Sequence, residues 1–206
     1  MEVPGGHKNK TFVLLSEFIG TCFLMIVINW SSVTDTTPQC AGFAVMMLVQ
    51  IFGGTSGGHF NPAVTFGMLL KEGSAHWVRN TAMAFAMIIF QGAGAALGCL
   101  ICAGAFDWEP SKDKTIPDTG YHVAQLCPSE GCNGSAFILR KVFFVEFLCT
   151  FAFVSNVMMI VKHNGSAEMP INALAIGLSL YLAIRMSSGI SGGCINPAVG
   201  LFQTLF

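Results

Sequence analysis

Residues 54–64 read GTSGGHFNPAV, and residues 189–199 read GISGGCINPAV. Eight of the eleven positions are identical, so one structural unit occurs twice in the chain. Each copy runs into a short apolar stretch, PAVTFGMLL after Asn61 and PAVGLFQTLF after Asn196. A stretch of about ten residues is too short to cross a bilayer and suits a helix reaching half-way. Proline is at home in the first position of a helix, and asparagine just before it is a good N-cap. Both stretches therefore read as half-helices that begin inside the membrane. Upstream, SEFIGTCF (16–23) resembles VEFLCTFA (145–152), and each places a glutamate, Glu17 or Glu146, in an apolar helix. Glu17 precedes Asn61 by 44 residues and Glu146 precedes Asn196 by 50. One Asn-Pro-Ala tripeptide arises easily by chance, but two in matched surroundings do not.

The composition places these units in lipid. Hydrophobic residues make up 53% of the 206, charged residues 10%, and mean hydropathy is +0.64. A soluble domain carries about 25% charged residues, so this surface cannot be covered with charge. The net charge of −1 leaves no basic footprint for nucleic acid. Five segments have the length and apolarity of spanning helices: Thr11 to Trp30, Cys40 to Gly54, Thr81 to Phe106, Phe137 to Val161 and Ile171 to Met186. The first carries no small-residue cleavage site and reads as a span rather than a signal peptide. The longest loop, Asp107 to Ser135, holds five acidic residues and belongs in water. Cys22, Cys99, Cys102 and Cys149 fall in apolar runs, where cysteine serves as a small core residue. Cys127 and Cys132 bracket CPSEGC and would form a small disulfide only if that loop faced an oxidising space. Basic residues divide five against five between the two sides and give no orientation.

These features together resemble the aquaporin/aquaglyceroporin (major intrinsic protein) family. The resemblance rests on SEFIGT, SGGHFNPAVT, QGAGAALG (91–98), the second Glu-Phe pair, GLS (177–179) and SGGCINPAV, and covers nearly the whole chain. It implies an all-α membrane protein, an inverted repeat of spanning helices plus two re-entrant half-helices. One channel domain would span 1–206, with repeat 1 over about 11–106, a loop over 107–136 and repeat 2 over about 137–206. The repeat predicts one more spanning helix, matching the third, that the chain ending at Phe206 does not contain. An incomplete sequence is the expected reason, because a pore without that wall would open to lipid.

In such a pore the half-helices meet N-terminus to N-terminus at mid-membrane. Each end carries unpaired N–H groups and about +0.5 charge from the helix dipole, an electrostatic barrier to protons and cations. Asn61 and Asn196 would point amide N–H donors into the pore and interrupt proton hopping along the water file. Pro62 and Pro197 would start the helices, and Ala63 and Ala198 would keep them close. For either asparagine alone an ordinary N-cap is the plain reading; the pairing favours the pore role. Glu17 and Glu146 are charges inside spanning segments, which is costly. In similar channels such glutamates brace the re-entrant loops by accepting backbone N–H bonds, a role expected here over proton carriage. His59 reads as a loop cap rather than a gate. Gln91 with Gly92, Gly94, Ala95 and Gly98 reads as a close helix-packing face.

The resemblance breaks at a second site. Similar water channels narrow at an aromatic residue, a histidine and an arginine just after the second motif. Counting from the motifs, the matching positions here are Ala41, Ile184, Gly193 and Val199. No arginine follows Ala198, and Arg185 lies one residue, about 100° of helix, away from Ile184. A wider, less polar constriction follows, open to glycerol, urea, ammonia or hydrogen peroxide as well as water. Glycerol channels usually add an aspartate, where Gly200 stands. The expected function is passive transport in a multi-pass membrane protein, without cofactor, metal or catalysis. The expected partners are the lipid bilayer and a homotetramer or a larger membrane complex. The alternative is a non-conducting structural subunit that keeps the fold.

Overall fold

The computed structural model describes residues 9–32, 36–71, 77–105 and 136–205. Among the described residues it holds no strand and seven helices. These are α1 (Lys10–Ser32), α2 (Thr37–Ser56), α3 (Pro62–Lys71), α4 (Trp77–Ala105), α5 (Ala136–Asn164), α6 (Pro170–Ser191) and α7 (Pro197–Leu205). Helices α1, α2, α4, α5 and α6 are long and apolar enough to cross a membrane. Helices α3 and α7, ten and nine residues long, rise only about 15 Å each, half of a ~30 Å hydrocarbon core.

Local chemistry fixes the boundaries. The Asn9 side chain accepts the Thr11 N–H at 3.0 Å and caps α1. Helix α2 is longer than its apolar run because Pro38 helps start it and Gly57, at φ 93°, ends it. Gly192, at φ 89°, ends α6 in the same left-handed way, a conformation in which glycine is at home. Trp30 lies near the end of α1 and Trp77 at the start of α4, each about half exposed. Gly94 lies beside Phe18 and Gly98 beside Cys22 and Met25, so α1 and α4 run parallel and the two indoles lie towards opposite ends of the bundle.

The outer surface is apolar, and the polar side chains of the spans are gathered inside among apolar ones. Phe85, Ile89 and Phe143 are 62, 67 and 71% exposed, whereas Glu17, Thr21, Thr65 and Gln91 have no exposed surface. Lipid offers no hydrogen-bond partner, so polar groups of a spanning bundle must find one another inside. Two crossings bring backbones together. Gly94 and Gly98 of α4 lie against α1, where a Cβ on Gly94 would fall on the Phe18 carbonyl and one on Gly98 would stand 2.7 Å from the Cys22 carbonyl. Gly42 of α2 and Gly177 of α6 meet so closely that a Cβ on either would reach the other's carbonyl oxygen, at 2.7 and 2.5 Å. This is small-residue packing of spanning helices.

Cys22, Cys99 and Cys102 are buried free thiols of α1 and α4, and Cys149 is one on α5. The Asn164 amide donates to Asn172 Oδ1 at 2.7 Å and helps fold the turn between α5 and α6. Cys127, Cys132 and the acidic loop lie outside the described residues.

Candidate functional site

The site is built from the two loops that lead into α3 and α7. Both follow one backbone path. After the capping glycine come Gly58 and Gly193 at φ 67° and 72°, then Phe60 and Ile195 at φ 47° and 53°. Side-chain-bearing residues rarely hold such φ values without outside support. That support comes from the glutamates.

Glu17, with no exposed surface, receives four donors. Its Oε1 accepts from Ser56 Oγ at 2.6 Å and the His59 N–H at 3.0 Å. Its Oε2 accepts from the Phe60 N–H and Gln91 Nε2, both at 2.7 Å. Glu146 repeats the pattern in the second loop. Ser191 Oγ donates to its Oε1, the Cys194 N–H donates to the same oxygen at 3.0 Å, and the Ile195 N–H donates to Oε2 at 2.9 Å. Glu146 is half-buried and has three such donors where Glu17 has four.

Around Glu17 the network extends to α3. Thr65 Oγ1 donates to the Asn61 carbonyl at 3.1 Å and accepts from Gln91 Nε2 at 2.9 Å. His59 Nδ1 is hydrogen-bonded to the same oxygen at 3.1 Å. The buried ring thus ties its loop to α3, as a loop cap does. Gln91 links α1, α3 and α4 through one amide, and its buried Oε1 has no hydrogen-bond partner among the described residues. Gly94 and Gly98 do form the close packing face that the sequence suggests, but Gln91 beside them serves the loop.

The asparagines stand where the loops meet. Each Oδ1 accepts from its own helix, Asn61 from the Ala63 N–H at 2.9 Å and Asn196 from the Ala198 N–H at 3.1 Å. Each Nδ2 donates across to the other loop, Asn61 to the Ile195 carbonyl at 3.1 Å and Asn196 to the Phe60 carbonyl at 2.8 Å. Each residue is thus an N-cap and a cross-brace at once. An amide carries two hydrogens, so one remains on each side chain beyond the cross-brace. Pro62 and Pro197 are the first residues of α3 and α7, and the two helices approach each other.

The four positions expected to form a constriction are only partly gathered. A Cβ on Gly193 would stand 2.8 Å from the Ile184 carbonyl oxygen and 3.0 Å from its Cγ2. The loop therefore lies hard against α6, in a backbone conformation that favours glycine. Ala41 belongs to the same apolar cluster as Ile184. Val199 lies in another, with Met25, Ala95, Cys99 and Ala198. Ala41, Ile184 and Val199 are 0, 6 and 2% exposed. Small side chains here do not translate directly into width, because the backbone moves into the space they leave. Arg185 is exposed on α6, pointing away from its buried neighbour Ile184 as helical rotation requires.

Sequence reasoning missed Ser56, Ser191 and the Gln203–Asn29 pair, and took Gln91 only as part of a packing face. Ser56 and Ser191 are identical in the two repeats and could have been found there. Gln91 gave only one polar letter in an apolar run. Gln203 Nε2 donates to Asn29 Oδ1 at 3.3 Å, a buried pair joining α7 to α1 without a counterpart in the motif pattern.

A family model described as "Major intrinsic protein" matches residues 6–206. "Glycerol uptake facilitator protein-like 6" of Lactiplantibacillus plantarum is 29% identical over 199 residues, covering 93% of this chain and 82% of that protein. "Aquaporin NIP1-4" of Oryza sativa subsp. japonica is 30% identical over 207 residues, covering 95 and 67%. "Aquaporin-9" of Homo sapiens is 28% identical over 235 residues, covering 100 and 77%.

Proposed function

The chain belongs to the major intrinsic protein family, and from that premise we propose that its two repeats form one pore for water and small neutral solutes, with protons held back at Asn61 and Asn196. This is a multi-pass membrane protein of a channel family, handling water or small solutes, and not an enzyme. The proton barrier is argued from one observation, the reciprocal bonding of the two asparagines at the N-termini of half-helices. Two positive helix ends at mid-membrane repel cations, and each amide keeps a hydrogen for a permeating oxygen. Glu17 and Glu146 act as braces that hold the loops in shape.

Solute choice is assigned to Ala41, Ile184, Gly193 and Val199. None of the four carries a charge, so a solute meets aliphatic surface and backbone carbonyls rather than a guanidinium. That wall suits glycerol, urea, ammonia and hydrogen peroxide as well as water, and the name of the bacterial relative supports glycerol in particular. A homotetramer is the expected assembly; a single-chain mass for the detergent-solubilised protein would exclude it. The tight burial of Ala41, Ile184 and Val199 favours the second reading, a non-conducting structural subunit.

Stopped-flow light scattering on proteoliposomes separates the two. Water and at least one of glycerol, urea and ammonia are expected to equilibrate faster than in protein-free vesicles. Traces that match empty vesicles for every solute would leave only the structural reading.

A further inference from the structure

The two repeats are braced crosswise. We propose that Glu17 positions Asn196 and that Glu146 positions Asn61, each glutamate acting on the asparagine of the other repeat. This inference rests on the pore reading of the asparagines and adds a wiring to it.

The path runs through single residues. Glu17 accepts the His59 and Phe60 N–H groups and holds Phe60 at φ 47°. With its N–H fixed there, the Phe60 carbonyl is turned to the opposite loop, where it accepts the Asn196 amide at 2.8 Å. In the second repeat Glu146 accepts the Cys194 and Ile195 N–H groups and holds Ile195 at φ 53°. The Ile195 carbonyl then accepts the Asn61 amide at 3.1 Å. Residues with a side chain do not keep this conformation unaided. If a carboxylate is lost, its loop relaxes towards ordinary φ and the carbonyl swings away from the asparagine it serves.

The route within a repeat is weaker. Asn61 Oδ1 is held by the Ala63 N–H and Asn196 Oδ1 by the Ala198 N–H, bonds internal to the half-helices that involve neither glutamate. Gln91 and Thr65 do connect Glu17 to residue 61, but they end on its backbone carbonyl and not on its amide. The amide's remaining hydrogen, the one available to a permeating molecule, is aimed by where the first is anchored, and that anchor belongs to the other repeat. Glu17 and Glu146 are positioning residues here, since neither reaches the permeant.

Double-mutant cycles on the full chain in proteoliposomes test this, reading water efflux and proton flux from the same vesicles. The singles are Glu17→Gln, Glu146→Gln, Asn61→Ala and Asn196→Ala. Glu17→Gln is expected to raise proton flux in the parent. In the Asn196→Ala background it is expected to change proton flux by less than about twofold, because its target is already gone. In the Asn61→Ala background its effect is expected to multiply with that of the asparagine, as for independent sites. Glu146→Gln should show the mirror pattern. Coupling inside each repeat, or multiplication in all four cycles, overturns the wiring while leaving the pore reading intact. Asparagine singles that change neither flux overturn both. If a glutamine variant does not fold, Ser56→Ala and Ser191→Ala enter the same cycles with the same expected pattern in smaller measure, since each removes a hydroxyl that donates to the glutamate and accepts the Gly58 or Gly193 N–H, while the two N–H bonds to the carboxylate remain. The asparagine side-chain ¹⁵N–¹H resonances give a second readout. Glu17→Gln should move the Asn196 pair and leave the Asn61 pair in place; the opposite shift overturns the proposal.

Discussion

Glu17→Ala is expected to yield almost no monodisperse protein and no channel activity. Four donors converge on this carboxylate: Ser56 Oγ, the His59 and Phe60 N–H groups, and Gln91 Nε2, which also donates to Thr65 Oγ1. A buried donor left unsatisfied costs about 1–3 kcal/mol, so four come to several kcal/mol before the cavity is considered. Total stabilities lie at roughly 5–15 kcal/mol, and hydrocarbon offers no water to repair the loss. Glu146→Ala strips three donors at a half-buried position and is expected to be milder. Fluorescence-detected size exclusion with a thermal ramp measures both. A Glu17→Ala protein as stable as the parent would mean that the loops do not depend on this brace.

Gly94→Val is expected to disrupt the α1–α4 interface. A Cβ at residue 94 would clash with the Phe18 carbonyl oxygen and stand 3.1 Å from the Cys22 nitrogen. Both obstacles are backbone, so no rotamer change makes room and the helices must separate. Overpacking of this kind costs about 1–3 kcal/mol or more, on the order of a 10 °C fall in Tm for a chain of this size. Gly104, in the same helix, has open space where its Cβ would be. Gly104→Ala is therefore expected to leave Tm within a few degrees. Equal effects at the two positions would contradict the crossing.

What could be read from the chain followed from its internal repetition. The two Asn-Pro-Ala motifs, each with a proline that cannot continue a helix backwards and an apolar run too short to span, led directly to α3 and α7. The glutamates stood out because a charge in an apolar run demands a reason. The partners of those glutamates were harder to see. Gln91 lies 74 residues from Glu17 and meets it only because α4 packs along α1; nothing local in QGAGAALG distinguishes a loop-bracing amide from a packing residue. The constriction was less legible still. Counting from the motifs locates Val199 by register, but side-chain direction and loop depth follow from packing, and packing sets Val199 among Met25, Ala95 and Cys99, apart from Ile184. Likewise, the closeness of Gly193 to Ile184 is a backbone approach that a list of side-chain sizes cannot contain.

The central claim is that the paired asparagines mark a pore that conducts water without protons. It is tested most directly by reconstituting the protein and recording osmotic water efflux and proton flux on the same vesicles. The account predicts water efflux well above that of protein-free vesicles, with proton flux at their level. Water efflux no faster than through bare lipid, or proton flux rising in step with water, would contradict it.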